Sequence, residues 1–292
     1  MTVPARPTPL FADIADVSRR LAETGYPPHT PPPAAGLFPA ARLGKPLLVE
    51  GPAGVGKTEL ARAVAQATGS GLVRLQCYEG VDEARALYEW NHAKQILRIQ
   101  AGSGDWEATK TDVFSEEFLL QRPLLTAIRR TEPTVLLIDE TDKADIEIEG
   151  LLLEVLSDFA VTVPELGTLT ATRAPFVLLT SNATRELSEA LKRRCLYLHI
   201  DFPTPELERR ILLSRVPELP EHFAEELVRI IGVLRGMQLK KVPSIAETID
   251  WGRTVLALGL DTIDDAVVAA TLGVVLKHQS DQQRATGELR LN

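Results

Sequence analysis

Cysteine is almost missing from this chain. Only Cys77 and Cys195 occur in 292 residues, without metal-site spacing, which speaks against a disulfide framework and predicts two buried packing residues in a cytosolic protein. Histidine is scarce too: His29, His92, His199, His222 and His278 stand singly, so a structural zinc or a His-based active site is not expected. Basic residues are in deficit, 32 Lys and Arg against 40 Asp and Glu, for a formal charge of −8. A nucleic-acid footprint carries the opposite balance, so nucleic acid is not the expected partner, although a local basic pore stays compatible with the count. No apolar run reaches bilayer-spanning length, and the N-terminus lacks the basic-then-apolar order of a signal peptide, so no membrane association is expected. The rest of the composition, 45% hydrophobic and 25% charged, is that of an ordinary globular chain with room for one large domain or two.

Against that background one stretch stands out. Gly51-Pro52-Ala53-Gly54-Val55-Gly56-Lys57-Thr58 fits the phosphate-cradling pattern G-x-x-x-x-G-K-S/T. Its glycines let backbone N–H groups turn inward towards phosphate oxygens. Lys57 is placed to reach the β- and γ-phosphates, and the Thr58 hydroxyl to ligate Mg²⁺. The apolar run Pro46–Glu50 before the motif predicts a strand. The run Thr58–Gln66 after it predicts a helix with Leu60, Ala61, Val64 and Ala65 on one face and its positive dipole end at the anion. Gly51 to Thr58, together with Glu59, are the predicted cofactor-binding residues.

The second chemical signal is Thr134-Val135-Leu136-Leu137-Ile138-Asp139-Glu140. Its apolar run fits a strand buried on both faces of a parallel sheet. Two carboxylates at its end are costly unless they face a cleft or a cation. Asp139 is expected to hold Mg²⁺ through its water shell, and Glu140 to orient and deprotonate an attacking water. Pro175–Thr180 predicts another buried strand, and Asn182 just beyond it could hold the same water or the γ-phosphate. The triplet Lys192-Arg193-Arg194 ends a helix predicted over 187–195. By default it is a solvated helix end, and its functional reading is an arginine finger for a neighbouring subunit's nucleotide.

The remaining chain reads coarsely. Residues 1–36 combine a helix over 11–21 with an extended proline-rich strap holding Pro4, Pro7, Pro9, Pro27, Pro28 and Pro31 to Pro33, in which Gly25-Tyr26 could lie near the nucleotide base. A second strand is predicted at 72–77. The stretch 78–117 carries Tyr88 and Trp90, a helical segment at 93–98 and a turn at 102–105. Its aromatics either grip a partner or build a local core. A helix is expected at 117–130, another at 147–156, a hairpin at 161–170 and a last strand at 196–200. Residues 37–203 thus read as an α/β nucleotide-binding core. From 204 no buried strand pattern appears. Thr204 as N-cap, Pro205 at N1 and a capping box at Ser244-Ile245-Ala246-Glu247 open helices over 206–215, 221–236, 244–258 and 262–279, with a frayed polar end from about 281.

The order of these motifs resembles an AAA+ ATPase of the MoxR family. GPAGVGKTEL at 51–60, LLIDETDKAD at 136–145 and ELSEALKRRCLYLHIDFP at 186–203 are similar to its CoxD-like subgroup. The resemblance implies a P-loop NTPase αβα sandwich with a parallel five-stranded sheet, followed by a small all-α lid domain over 204–292. It implies ATP and Mg²⁺ as cofactors, bound at the interfaces of a homo-oligomeric, commonly hexameric ring. It further implies a von Willebrand-type partner protein and a metalloenzyme client, with a chaperone role in maturing the molybdenum–copper site of carbon monoxide dehydrogenase-type enzymes. Asn182 matches the sensor-1 position and Arg194 the finger position, with Arg193 the alternative register. Ala246 stands where many relatives carry a sensor-2 arginine. Two other readings stay open: a nucleotide-gated binding switch with little turnover, and a DNA-directed motor, against which the net acidity weighs.

Overall fold

The computed structural model describes residues 10–27, 32–101, 112–260 and 262–289. The expectations placed on Pro4, Pro7, Pro9, Pro28, Pro31, His29 and the turn at 102–105 lie outside these residues. The described strands, numbered along the chain, are β1 (Leu47–Glu50), β2 (Gly71–Gln76), β3 (Tyr88–Trp90), β4 (Leu119–Gln121), β5 (Thr134–Asp139), β6 (Ala160–Val163), β7 (Gly167–Thr170), β8 (Phe176–Ser181) and β9 (Leu196–His199). The described residues cluster into two compact units: those within 10–26, 32–51 and 57–199 form the first, and 27, 52–56 and those within 200–289 the second.

The first unit is built on a five-stranded, all-parallel sheet of order β2-β5-β8-β1-β9. Two of its three inner strands, β5 and β8, are buried at every position, as continuous apolar runs between two helical layers must be. Leu136 and Ile138 join one core with Leu48, Leu75, Val177 and Leu179, packed under the helices Pro123–Arg129 and Ile146–Asp158. Val135 and Leu137, also buried, alternate to the opposite face. Because the sheet is parallel, the carboxyl ends of β1, β5 and β8 lie along one edge. That edge receives Gly51 at the end of β1, the Asp139–Glu140 pair and Asn182.

Three local readings change. Residues 34–36 are not part of an extended strap: a helix runs from Ala34 to Leu43 with Pro39 inside it, closed by Gly44 in the left-handed conformation. Packing overrides the proline, since Leu37 and Ala40 are fully buried and a side chain at Gly36 would meet Leu198 and Leu47. The helix expected at 117–130 is shorter, Pro123–Arg129. Its first residues instead form a 3₁₀ turn, Glu116–Phe118, and strand β4, which pairs with β3 through Trp90 and Leu119. Trp90 makes an edge-to-face contact with Phe114 at 5.4 Å and packs, with Tyr88, against the main core, so both aromatics serve a local core. Cys77 is fully buried, whereas Cys195 is only half-buried. Burial pushes both thiols up to about 12.

In the helix Ile146–Asp158, Glu149 is 1% exposed. Burial by itself raises its pKa, but hydrogen bonds from Ser188, including its backbone N–H at 2.9 Å, and the Arg185 guanidinium outweigh it and hold the carboxyl below 4.5. A lowered carboxyl pKa stabilises the fold above the unfolded value, and that stabilisation drains away as pH falls through the folded one. Urea unfolding of wild type and Glu149→Gln should therefore show wild type more stable near neutrality, with the gap narrowing as the pH falls through the acid range.

The second unit is helical: Pro205–Arg215, Glu221–Gly236, Ile245–Ala257, Asp265–Val275 and Gln279–Glu288. Its core holds Leu212, Leu227, Ile231, Leu234, Trp251, Val255 and Leu272. Thr204 caps the first helix by accepting from the Leu207 N–H, with Pro205 at N1. The capping box forms, the Ser244 N–H donating to Glu247 Oε2 at 3.0 Å. The helix expected over 262–279 ends at Val275, and the polar stretch expected to fray from 281 is instead part of the helix Gln279–Glu288. Buried Asp281 anchors that helix by accepting from the backbone N–H groups of Lys240 and Lys241. Among the described residues no helix is long and apolar enough to cross a membrane.

Candidate functional site

β1 delivers the chain into the glycine motif, whose backbone needs glycine at two places. Gly54 (φ 74°) and Gly56 (φ 98°) sit in the left-handed region that side chains avoid. At Gly54 there is no room either: a Cβ would lie 2.4 Å from the Cβ of Ser244, a residue of the same unit. Val55 is buried, whereas Ala53 is exposed and Pro52 and Gly56 are intermediate. Exposed Glu59 pairs with Arg62 at 2.7 Å.

Lys57 opens the helix Lys57–Thr68 and is 6% exposed, its ammonium donating to the Gly51 carbonyl at 2.7 Å. Burial pulls its pKa down to about 8, against the opposing pull of Asp142, Asp139, Glu140 and Glu50. A buried ammonium set among carboxylates at a helix N-terminus suits a polyanion, whose charge would restore its proton affinity.

Thr58 and Asp139 are brought together across the sheet edge. The Thr58 hydroxyl lies 3.1 Å from Asp139 Oδ1 and 3.3 Å from Oδ2. The Thr180 hydroxyl donates to Oδ1 at 2.6 Å, and Arg74 donates to Oδ2 through Nε and Nη2 at 3.0 and 2.5 Å. A hydroxyl and a buried carboxylate side by side are the hard oxygen donors that Mg²⁺ takes through one or two protein groups, so the donor set fits that ion.

Glu140 follows in the left-handed conformation, φ 56° and ψ 48°, its N–H bonded to Thr180 Oγ1 at 2.8 Å. Its carboxylate accepts from Gln76 Nε2 at 2.9 Å and Lys143 Nζ at 2.6 Å. Asn182 lies just after β8, and its backbone N–H donates to Asp142 Oδ1 at 3.1 Å. Asp142 is buried, which by itself raises its pKa. The Thr184 hydroxyl and the N–H groups of Asn182 and Thr184 outweigh that and keep it low, fixing the loop that carries Asn182. Arg193 and Arg194 end the helix Glu189–Arg194 and are exposed, with Arg194 donating to the Leu153 carbonyl. The structure thus gathers Lys57, Thr58, Asp139, Glu140 and the Asn182 loop at one sheet edge, whereas Arg193 and Arg194 stand exposed at the end of the helix Glu189–Arg194. Tyr26 is buried, which raises its pKa, with the Glu59 charge adding to the rise.

Sequence reasoning missed Arg74, Gln76, Asp142, Lys143 and Thr180. A faint signal existed for two of them. Arg74 and Gln76 share one face of β2, and the register places Gln76 opposite Asp139.

A family described as AAA domain (dynein-related subfamily) matches residues 46–195, just over half of the chain. Chaperone protein ClpB 2 of Thermosynechococcus vestitus is 33% identical over 156 residues, covering 52% of this chain and 15% of that protein. Chaperone protein ClpB 1 of Synechocystis sp. is 27% identical over 249 residues, 80% of this chain and 24% of that protein. The chain spans about a quarter or less of the length of these curated relatives. Among solved structures, a point mutant of Thermotoga maritima RuvB aligns with 99% of this chain and 75% of its own, at 18% identity and a TM-score of 0.49.

Proposed function

The chain belongs to the AAA domain family, dynein-related subfamily, and on that premise we propose that it is an Mg²⁺-dependent ATPase acting as a ring of identical subunits to remodel a client protein. The observation that carries this reading is the convergence of the buried Lys57 ammonium, the Thr58–Asp139 pair and Glu140 along one sheet edge. Lys57 would hold the β- and γ-phosphates, and Thr58 with Asp139 would hold Mg²⁺. When bound, Mg²⁺ supplies charge neutralisation on the transferring phosphate. Glu140 would take the proton of the attacking water once Gln76 and Lys143 release its carboxylate. The side chain of Asn182 would orient that water. Arg194, or Arg193, would reach the γ-phosphate of the neighbouring subunit, which accords with the exposure of both.

The finer reading is a CoxD-like MoxR protein: a chaperone that, with a von Willebrand-type partner, matures a molybdenum–copper metalloenzyme from a cytoplasmic pool. The motifs at 51–60, 136–145 and 186–203 support it, and the ClpB relatives, themselves named chaperone proteins, support protein remodelling in general. The division we favour is an N-terminal helix and strap that end before the helix Ala34–Leu43, a core from that helix to 203 and a lid over 204–292.

Light scattering with and without ATP, joined to subunit mixing, tests the proposal. ATP should drive assembly to a particle of about six chains. Lys57→Ala and Arg194→Ala, each inactive alone, should regain turnover when mixed, because an intact finger then meets an intact nucleotide site. A nucleotide-bound monomer, with no turnover in the mixture, would favour the binding switch.

A further inference from the structure

Asp139 is the carboxylate that the proposed function requires for Mg²⁺, yet a cation already faces it. Its side chain is 3% exposed, and its charge cannot be balanced by the Thr58 and Thr180 hydroxyls, which are neutral donors. Arg74 balances it. Both Nε and Nη2 converge on Oδ2, while Oδ1 is the oxygen nearer the two hydroxyls. Arg74 is itself 44% exposed and also donates to the side chain of Gln76, so it stands at the rim of the site with a path to water. All these groups belong to the first unit.

A hydrated divalent cation held by Thr58 and Asp139 would draw on the same carboxylate charge that Arg74 balances from Oδ2. We propose that Arg74 is a resident counter-ion that Mg²⁺ must displace, a gate on metal entry that keeps bare Mg²⁺ out and admits it together with a polyphosphate. The inference rests on reading the site as an Mg–nucleotide centre. Before metal arrives, Arg74 pairs with Asp139 through two N–H donors and makes the burial of that carboxylate tolerable. When metal arrives, the guanidinium is expelled from Oδ2, and the cost of that expulsion weakens metal binding below what the donor oxygens alone would give. A metal ion arriving with a polyphosphate brings its own negative charge, which a displaced guanidinium tolerates; a bare ion does not. Arg74 is a positioning residue: its effect on the phosphate passes through Asp139 and the metal.

The test uses the full chain and a fluorescent non-hydrolysable ATP analogue. Two quantities are read: analogue affinity in EDTA, and the Mg²⁺ concentration that half-saturates the metal-dependent fluorescence change, with Mn²⁺ binding by electron paramagnetic resonance as a direct check. Arg74→Gln should lower half-saturating Mg²⁺ about tenfold and leave analogue affinity in EDTA within about twofold. Arg74→Lys, which keeps the charge and loses the fork, should fall between Gln and wild type. An unchanged or raised Mg²⁺ requirement in Arg74→Gln, with the analogue still bound, overturns the gate, whatever happens to the melting temperature. If Arg74→Gln does not fold, Arg74→Lys decides: a lowered Mg²⁺ requirement supports the gate and an unchanged one overturns it. Failure of wild type to bind the analogue at all sinks the nucleotide reading instead.

Discussion

Glu140→Gln should lower ATP turnover by about a hundredfold or more, the usual contribution of a positioned general base, while leaving nucleotide affinity within about twofold. The geometry explains the asymmetry. Of the affinity-bearing groups, Lys57 donates to the Gly51 carbonyl and Thr58 meets Asp139, contacts that do not run through the Glu140 carboxylate. The glutamine amide keeps an oxygen to accept from Gln76 and Lys143, so the local network survives with one charge fewer. What it cannot do is accept a proton from water. Phosphate release under saturating ATP, set beside equilibrium binding of a labelled nucleotide, separates the two effects. A fall in turnover below about tenfold would move the base elsewhere. A parallel loss of affinity would make Glu140 a structural residue.

Arg235→Ala should cost about 3–5 kcal/mol of stability, the usual result of stripping one partner from a buried ion pair. Arg235 and Glu208 are 13% and 2% exposed and meet in a two-pronged bond, Nη1 to Oε2 at 2.5 Å and Nη2 to Oε1 at 2.8 Å. The guanidinium also donates to the Pro243 carbonyl at 2.8 Å and stacks 4.2 Å from the Phe202 ring centroid, while Thr248 donates to Glu208 at 2.7 Å. The pair therefore fastens the helices Pro205–Arg215, Glu221–Gly236 and Ile245–Ala257 to one another. Removing the arginine leaves a carboxylate in the helical core with one hydroxyl donor. Combining Arg235→Met with Glu208→Gln should recover most of the loss, since neither change then strands a charge. Denaturant midpoints of the two single variants and the double variant test both statements. A single-variant cost below about 1 kcal/mol would mean that the pair is solvated and worth no more than a surface bridge.

The strands of the sheet were legible because burial on both faces forces apolar runs, and Val135 to Ile138 or Phe176 to Leu179 have no other comfortable home. The glycine motif was legible because backbone geometry and anion chemistry both restrict which residues can stand there. The caps at Thr204 and Ser244 were legible because capping is local. What escaped notice depended on partners distant in sequence. The helix Ala34–Leu43 hides behind prolines and is held by its fit against Leu47 and Leu198. Strand β4 hides in a leucine pattern that suits a helix equally well, until β3 arrives to pair with it. The terminal helix looks too polar to hold, and its Asp281 secures it to a loop some 40 residues away. The ion pair of Arg74 with Asp139 crosses two strands whose adjacency appears only in the folded sheet. The carboxylates could be recognised from their strand end; the cation that balances one of them could not.

Glu140 occupies a backbone conformation, φ 56° and ψ 48°, that costs a non-glycine residue on the order of 1 kcal/mol. Thermal selection and catalytic selection therefore pull this position in opposite directions. A library screened only for heat resistance would accept glycine or asparagine at 140 and collect sturdier, idle proteins. A library screened for turnover would return glutamate each time and accept the lower melting point. Among natural chains carrying this motif order, a glycine or asparagine at the matching position would mark a lineage that kept the scaffold and gave up the chemistry.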